Sequence, residues 1–293
     1  MHHRSTGRCR TAFGVVVICG LLLAAAPAPL VAETGPLTET GTPEHARSEA
    51  GFLQRINRWR LDWIADTDAW IHAGPAGGYV NLQDTRMSPL VYSGFGPGFH
   101  FAADLVRDRF LWPHTVTGRY VRPSASDVLA GDYESISGEA NVALLYRFAG
   151  TGLSAGGSVA GAAHLRSYPK LQNNAFNSDV SVSLNASGRW EAGFTALSRG
   201  IVYHVRADLP LVAWVARTPA YAAHATAHYL APPVRYVRLA IETGLTWTMR
   251  WSEDNTVRLR YAWDYYALDP FDGLYPLRIA THTLSLSLGT RIM

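Results

Sequence analysis

The residues best suited to chemistry in this sequence are charged and imidazole side chains that recur at every second position between apolar ones. His100 stands four residues before Asp104, and His204 four before Asp208. Arg206, Arg238, Glu242, Arg258, Arg260 and Asp264 crowd the C-terminal half, and Arg119, Glu139, Arg147 and Arg189 precede them. Such a set suits three chemistries. A hydrolase needs a nucleophile, a base and an orienting group within hydrogen-bond reach. A charged pore lining selects solutes. A paired set of opposite charges fills a narrow space. Four residues along a strand span roughly 13 Å, so neither His reaches the Asp of its own segment; each needs a partner on a neighbouring strand. The mixed signs suit pairing, so the expectation is a mixed-charge, filled interior with no catalytic residues.

Metal and cofactor chemistry has little support. Cys9 and Cys19 both lie in the first 32 residues. One His-x-x-x-His spacing, His224 and His228, would share a face if 220–231 were helical, but no third ligand accompanies it. The glycines at 74–78 and 94–98 lack the lysine and helix of a phosphate loop and read instead as points of sharp curvature. No metal site and no cofactor are expected.

The elements that must hold these residues begin after an export signal. Arg4, Arg8 and Arg10 precede an uncharged apolar run, Phe13 to Ala26, with a cleavage point after Ala32. The remaining 261 residues carry 23 basic and 23 acidic side chains, a neutral balance that excludes nucleic acid as a partner. They contain no apolar stretch of about 18 residues, so no spanning helix is expected.

Period two runs through the rest. In 237–251, Val237, Leu239, Ile241, Leu245 and Trp247 oppose Arg238 and Glu242. In 257–265, Leu259, Tyr261 and Trp263 oppose Arg258, Arg260 and Asp264; at the end Leu284, Leu286 and Leu288 oppose hydroxyls and glycine. Seven weaker segments precede these, over 78–83, 95–105, 110–120, 136–148, 153–166, 180–191 and 201–209. In the first, Val80 and Leu82 are read as the apolar outer face against Tyr79, Asn81 and Gln83. That makes ten strands, with eight or twelve as alternatives. One face is expected to meet lipid and the other a lumen. Short joins at 107–108, 149–151 and 252–255 alternate with long ones at 123–131, 167–177, 212–232 and 269–276, which places both termini in the periplasm. The join at 192–199 is too long for this rhythm. Residues 33–73 read as a periplasmic segment, disordered and then an amphipathic helix over 51–66 carrying Phe52, Ile56, Trp59 and Trp63; the barrel occupies 74–293.

The alternating final strand and the repeated aromatic strand ends resemble those of bacterial outer-membrane β-barrel proteins, although the chain ends Ile292-Met293 where such strands usually end in an aromatic. The resemblance implies an all-β, antiparallel transmembrane barrel in the outer membrane. The partners it implies are the lipid bilayer, lipopolysaccharide and the barrel-assembly machinery. No functionally defined subfamily matches. The expected role is structural or loop-mediated binding. The alternatives are a narrow pore for small solutes and a lipid-modifying acyl hydrolase, for which the His-x-Ser-Asn-Gly segment of the outer-membrane phospholipases is missing.

Overall fold

Alternation in the sequence becomes alternation in space. The computed structural model describes residues 67–85, 88, 90–125, 133–168, 176–196, 199–217, 227–233, 235–249, 252–269 and 276–292. The expected signal, the expected helix over 51–66 and His224 lie outside these residues. The strands are β1 (Asp68–Asp84), β2 (Tyr92–Arg107), β3 (Phe110–Val121), β4 (Glu134–Arg147), β5 (Leu153–Ser167) and β6 (Phe176–Ala196). β7 (Arg199–Arg217), β8 (Ala227–Ala231), β9 (Tyr236–Met249), β10 (Ser252–Leu268) and β11 (Leu277–Arg291) complete the set. All pairings are antiparallel; they join sequence neighbours except for β7 with β9 and for β1 with β11, whose pairing over Trp70↔Arg291 to Asp84↔Leu277 closes the sheet. β8 and β9 share one place in the wall: β8 pairs the far end of β7 and β9 its near end. The result is a closed ten-position barrel. Closure leaves no edge, so every strand finds a ladder partner without water.

Several boundaries differ from the sequence reading. β1 begins at Asp68, six residues before the barrel start read at 74, and its phase is opposite to the one read. Val80 and Leu82 are buried inside, while Tyr79 faces out. The misfit join vanishes, because β6 runs to Ala196 and β7 starts at Arg199. The join read at 252–255 belongs to β10. The long join at 212–232 is in part wall, with β7 continuing to Arg217 and β8 covering Ala227–Ala231; the latter is strand, not helix. The cause is a bulge. Asn185 pairs Pro210 and Leu184 pairs Val212, so Leu211 is extra. Pro210 has no N–H for the ladder, and one inserted residue reverses the parity of everything beyond it. Before the bulge His204, Arg206 and Asp208 are buried; after it Ala213, Val215 and Arg217 are.

The turns at the end where β1 begins and β11 ends are tight. Asp108 takes φ 51° in the two-residue join before β3, a conformation that Asp tolerates. Gly150 and Gly152, at φ 75° and 70°, turn the chain into β5. Within the wall, a Cβ on Gly96 would lie 2.0 Å from the Tyr120 carbonyl oxygen, so only glycine permits that approach of β2 to β3.

The outward surface is apolar between two aromatic belts. At the turn end lie Phe110, Tyr146 and Phe148, with ring contacts at 5.8 and 5.4 Å, and Trp190 against Tyr203. At the loop end Tyr79 and Tyr261 flank His282, whose Nδ1 is 2.7 Å from the Tyr261 hydroxyl, and Trp263 stacks on Tyr265. Leu284, Leu286, Leu288, Leu259, Leu245, Val237 and Ile241 are exposed between the belts, with Tyr261 in the outer one. Leu239, Trp247 and Trp263 also turn outward and are half-buried among their neighbours. Apolar outside and charged inside is the inverse of a water-soluble domain, and it is what a barrel in hydrocarbon requires. The chain folds as a closed antiparallel β-barrel with the outward apolar surface of a membrane-spanning barrel.

Candidate functional site

The interior is where the chemistry-bearing residues meet. Among the described residues, eight arginines and eight carboxylates point inward and every one is in an ion pair. They form tiers along the barrel. All the cations are arginine, and the whole chain contains a single lysine, Lys170. A planar guanidinium bridges two carboxylates at once, which an ammonium point charge does less well.

The tier nearest the loops joins four strands. Arg166 (β5) lies 3.0 Å from Asp84 (β1) and also meets Asp179 (β6). Arg217 (β7) lies 2.9 Å from Asp84 and 2.8 Å from Asp179. Each arginine bridges both aspartates, so the ring ties β1 to the opposite wall. All four side chains are at most 1 % exposed. Around them pack Tyr92, Tyr133, Tyr168, Tyr236, Tyr266, Leu82, Leu268 and Leu277, an apolar core inside the outer end of the barrel. Tyr92 and Tyr133 stack at 4.8 Å.

The middle tier is built from Arg119 and Arg238 around Glu139. Arg119 pairs Glu139 and donates to the Thr283 hydroxyl across the interior at 2.6 Å. Arg238 lies 3.2 Å from Glu139 and 2.7 Å from Asp264. Below it Arg206 donates to Asp208 at 3.1 Å and to the Asn141 side-chain oxygen at 2.7 Å; Asn141 in turn donates to Asp208 at 3.1 Å. Ser187 also donates to Asp208. Arg260 meets Glu242 at 2.7 Å, and His204 reaches the other oxygen of Glu242 at 3.1 Å. Between these groups is a cavity of about 50 Å³ bordered by Arg119, Glu139, Arg206, Asp208, Arg238 and Asp264. By the volume one water needs, it holds roughly three or four.

The tier nearest the turns centres on Asp104, held by Arg258 at 2.6 Å and Arg189 at 3.3 Å; Arg189 also meets Glu191 at 2.7 Å. His100 Nδ1 is 3.1 Å from the Thr117 hydroxyl. Thus His100, Asp104, Arg119, Glu139, Arg189, His204, Arg206, Asp208, Arg238, Glu242, Arg258, Arg260 and Asp264 all turn inward. Neither histidine meets the aspartate four residues on; each finds its partner on the adjacent strand. Arg147 is the exception. It has inward parity but ends β4, and at the strand end it is exposed on the rim.

Sequence reasoning missed the outer ring. Arg166 was legible as an inward residue of β5, but Asp84 and Asp179 lie at strand ends where alternation is short, and Arg217 lies beyond the bulge. Within the described residues no group of three His, Cys, Asp or Glu side chains has metal-ligand geometry.

No family model matches the chain, and no curated protein matches it. Among solved structures, it overlaps Neisserial surface protein A at TM-score 0.30 and 8% identity, over 76% of this chain and 97% of that one. It overlaps the outer-membrane protease OmpT from Escherichia coli at 0.44 and 7%, over 77% and 96%. The translocator domain of the autotransporter NalP from Neisseria meningitidis gives 0.40 and 11%, over 84% and 98%. None of these likenesses is close enough to support a residue-by-residue transfer.

Proposed function

We propose that this protein is a structural outer-membrane barrel with a filled, non-conducting lumen, whose function lies in its outer loops and its outward surface. The observation that carries this is the interior pairing among the described residues: eight arginines against eight carboxylates, around a cavity of about 50 Å³ at mid-height. Hydrated solutes need a continuous water path, and an apolar core at the outer end opposes one. Buried charges persist only when paired and hydrogen-bonded, and here they brace opposite walls. His100 and His204 sit inside this packing, which suits a bracing role better than attack on a lipid. The long joins at the loop end are the surface offered to a partner, and lipopolysaccharide meets the outward aromatic belt there. The assembly machinery would act on the chain during insertion.

Proteoliposome swelling tests the reading. Vesicles carrying the protein should shrink and stay shrunken in small sugars, as protein-free vesicles do. Rapid re-swelling would establish a pore in place of a filled barrel.

A further inference from the structure

The outward column of β11 changes character along its length in the order of a membrane amphiphile. Arg278, Ala280, His282, Leu284, Leu286 and Leu288 follow one another on its outer side, from the loop end toward the turns. The three leucines are 55, 50 and 63% exposed and form a bare apolar ridge. His282 lies in the outer aromatic belt between the rings of Tyr79 and Tyr261. Arg278 stands beyond the belt on the loop side, exposed, where lipid headgroups lie. Ala280 between them is small, and its cross-strand partners are Tyr265 of β10 and Asn81 of β1. The result is a notch with a short floor, a phenol and an amide at its sides, a guanidinium at one end and an imidazole at the other.

We propose that this notch binds the phosphorylated saccharide headgroup of lipopolysaccharide. Arg278 and His282 hold a phosphate, the Tyr79 and Tyr261 rings meet the sugar, and an acyl chain lies along the leucine ridge. The inference rests on the role proposed above for the outward surface and gives that role a site. Charge selects the occupant. Among the described residues Arg278 has no carboxylate partner, whereas Arg122, an exposed arginine just beyond β3, is met by Glu134 at 3.3 Å. A guanidinium offers phosphate two parallel N–H donors, a stronger contact than a neutral hydrogen bond. His282 Nδ1 lies 2.7 Å from the Tyr261 hydroxyl. With the phenol donating to Nδ1, the ring proton sits on Nε2 and is left to donate to an anion. The two Cα atoms are roughly 13 Å apart along the strand, and the flexible arginine stem shortens that gap to a phosphate seated over Ala280. The neighbouring outward columns lack this order: β1 carries Gln83, Asn81 and Tyr79 at these levels, and β10 carries Ala267, Tyr265 and Trp263, with no charge in either.

Native mass spectrometry of the full chain in detergent micelles tests it by counting bound lipid A, the phosphorylated anchor of lipopolysaccharide. Each variant changes a side chain outside the interior ion pairs, so the barrel stays closed. Wild-type protein should bind lipid A roughly tenfold more tightly than Arg278→Ala does, as loss of a charge-assisted contact requires. His282→Phe, which keeps a ring between the tyrosines, should weaken binding about threefold. Arg122→Ala should bind as the wild type does. Lipid A stripped of phosphate, and phosphatidylglycerol, should each bind the wild type no better than intact lipid A binds Arg278→Ala. Equal binding by wild type and Arg278→Ala would overturn the site and leave lipopolysaccharide on the outward surface at large; no binding by the wild type would overturn that broader reading as well. Phosphatidylglycerol bound as tightly as lipid A would make the notch a general anion site and contradict the saccharide. A loss at Arg122→Ala equal to that at Arg278→Ala would replace the notch by diffuse attraction and contradict it too.

Discussion

The outer ring and the middle tier use the same chemistry in different surroundings. Asp84, Arg166, Asp179 and Arg217 are sealed among tyrosines and leucines, and each arginine serves two carboxylates. Arg119, Glu139, Arg238 and Asp264 border a small cavity, with hydroxyls and amides nearby to share the load. Breaking a dry pair strands a buried charge, whereas a hydrated one can be re-solvated. The difference lies in how the barrel is braced: at the outer end each arginine of the ring is sealed from water and bridges two carboxylates.

Substitutions can break this contrast. The largest effect is expected for Asp179→Ala, which leaves Arg166 and Arg217 each short of one carboxylate; it should lower stability by about 3–5 kcal/mol, read as urea unfolding from lipid vesicles. A loss below that of Glu139→Ala would invert the account. Glu139→Ala in the middle tier should cost about 1–3 kcal/mol, because water from the cavity can reach Arg119 and Arg238. Arg147→Ala, on the exposed rim, should change stability by no more than about 0.5 kcal/mol. An effect on Arg147 as large as on Glu139 would mean that the rim, not the interior, holds the barrel.

The same contrast governs what the sequence made legible. The middle tier lies in the central strands, where period two is unbroken: Arg238 and Glu242 against Leu239 and Ile241, Arg258 and Arg260 against Leu259 and Tyr261. There parity alone assigns a face, and thirteen of fourteen interior residues turn inward as the alternation requires. The outer ring defeats parity for separate physical reasons. In β1 the interior becomes apolar toward the loops, so Val80 and Leu82 mimic an outer face while pointing in. In β7 the bulge at Pro210 reverses the phase before Arg217. Asp84 and Asp179 gain meaning only from each other, across a sheet that must first close. Arg147 fails in the opposite way: its parity is right, but the strand ends before the interior begins.

The claim of a filled interior is tested most directly by single-channel recording in planar bilayers. Wild-type protein should give no stable openings across a wide voltage range, and Asp179→Ala combined with Glu139→Ala should introduce flickering, low-conductance events. Large, stable openings in the wild type would contradict the account outright.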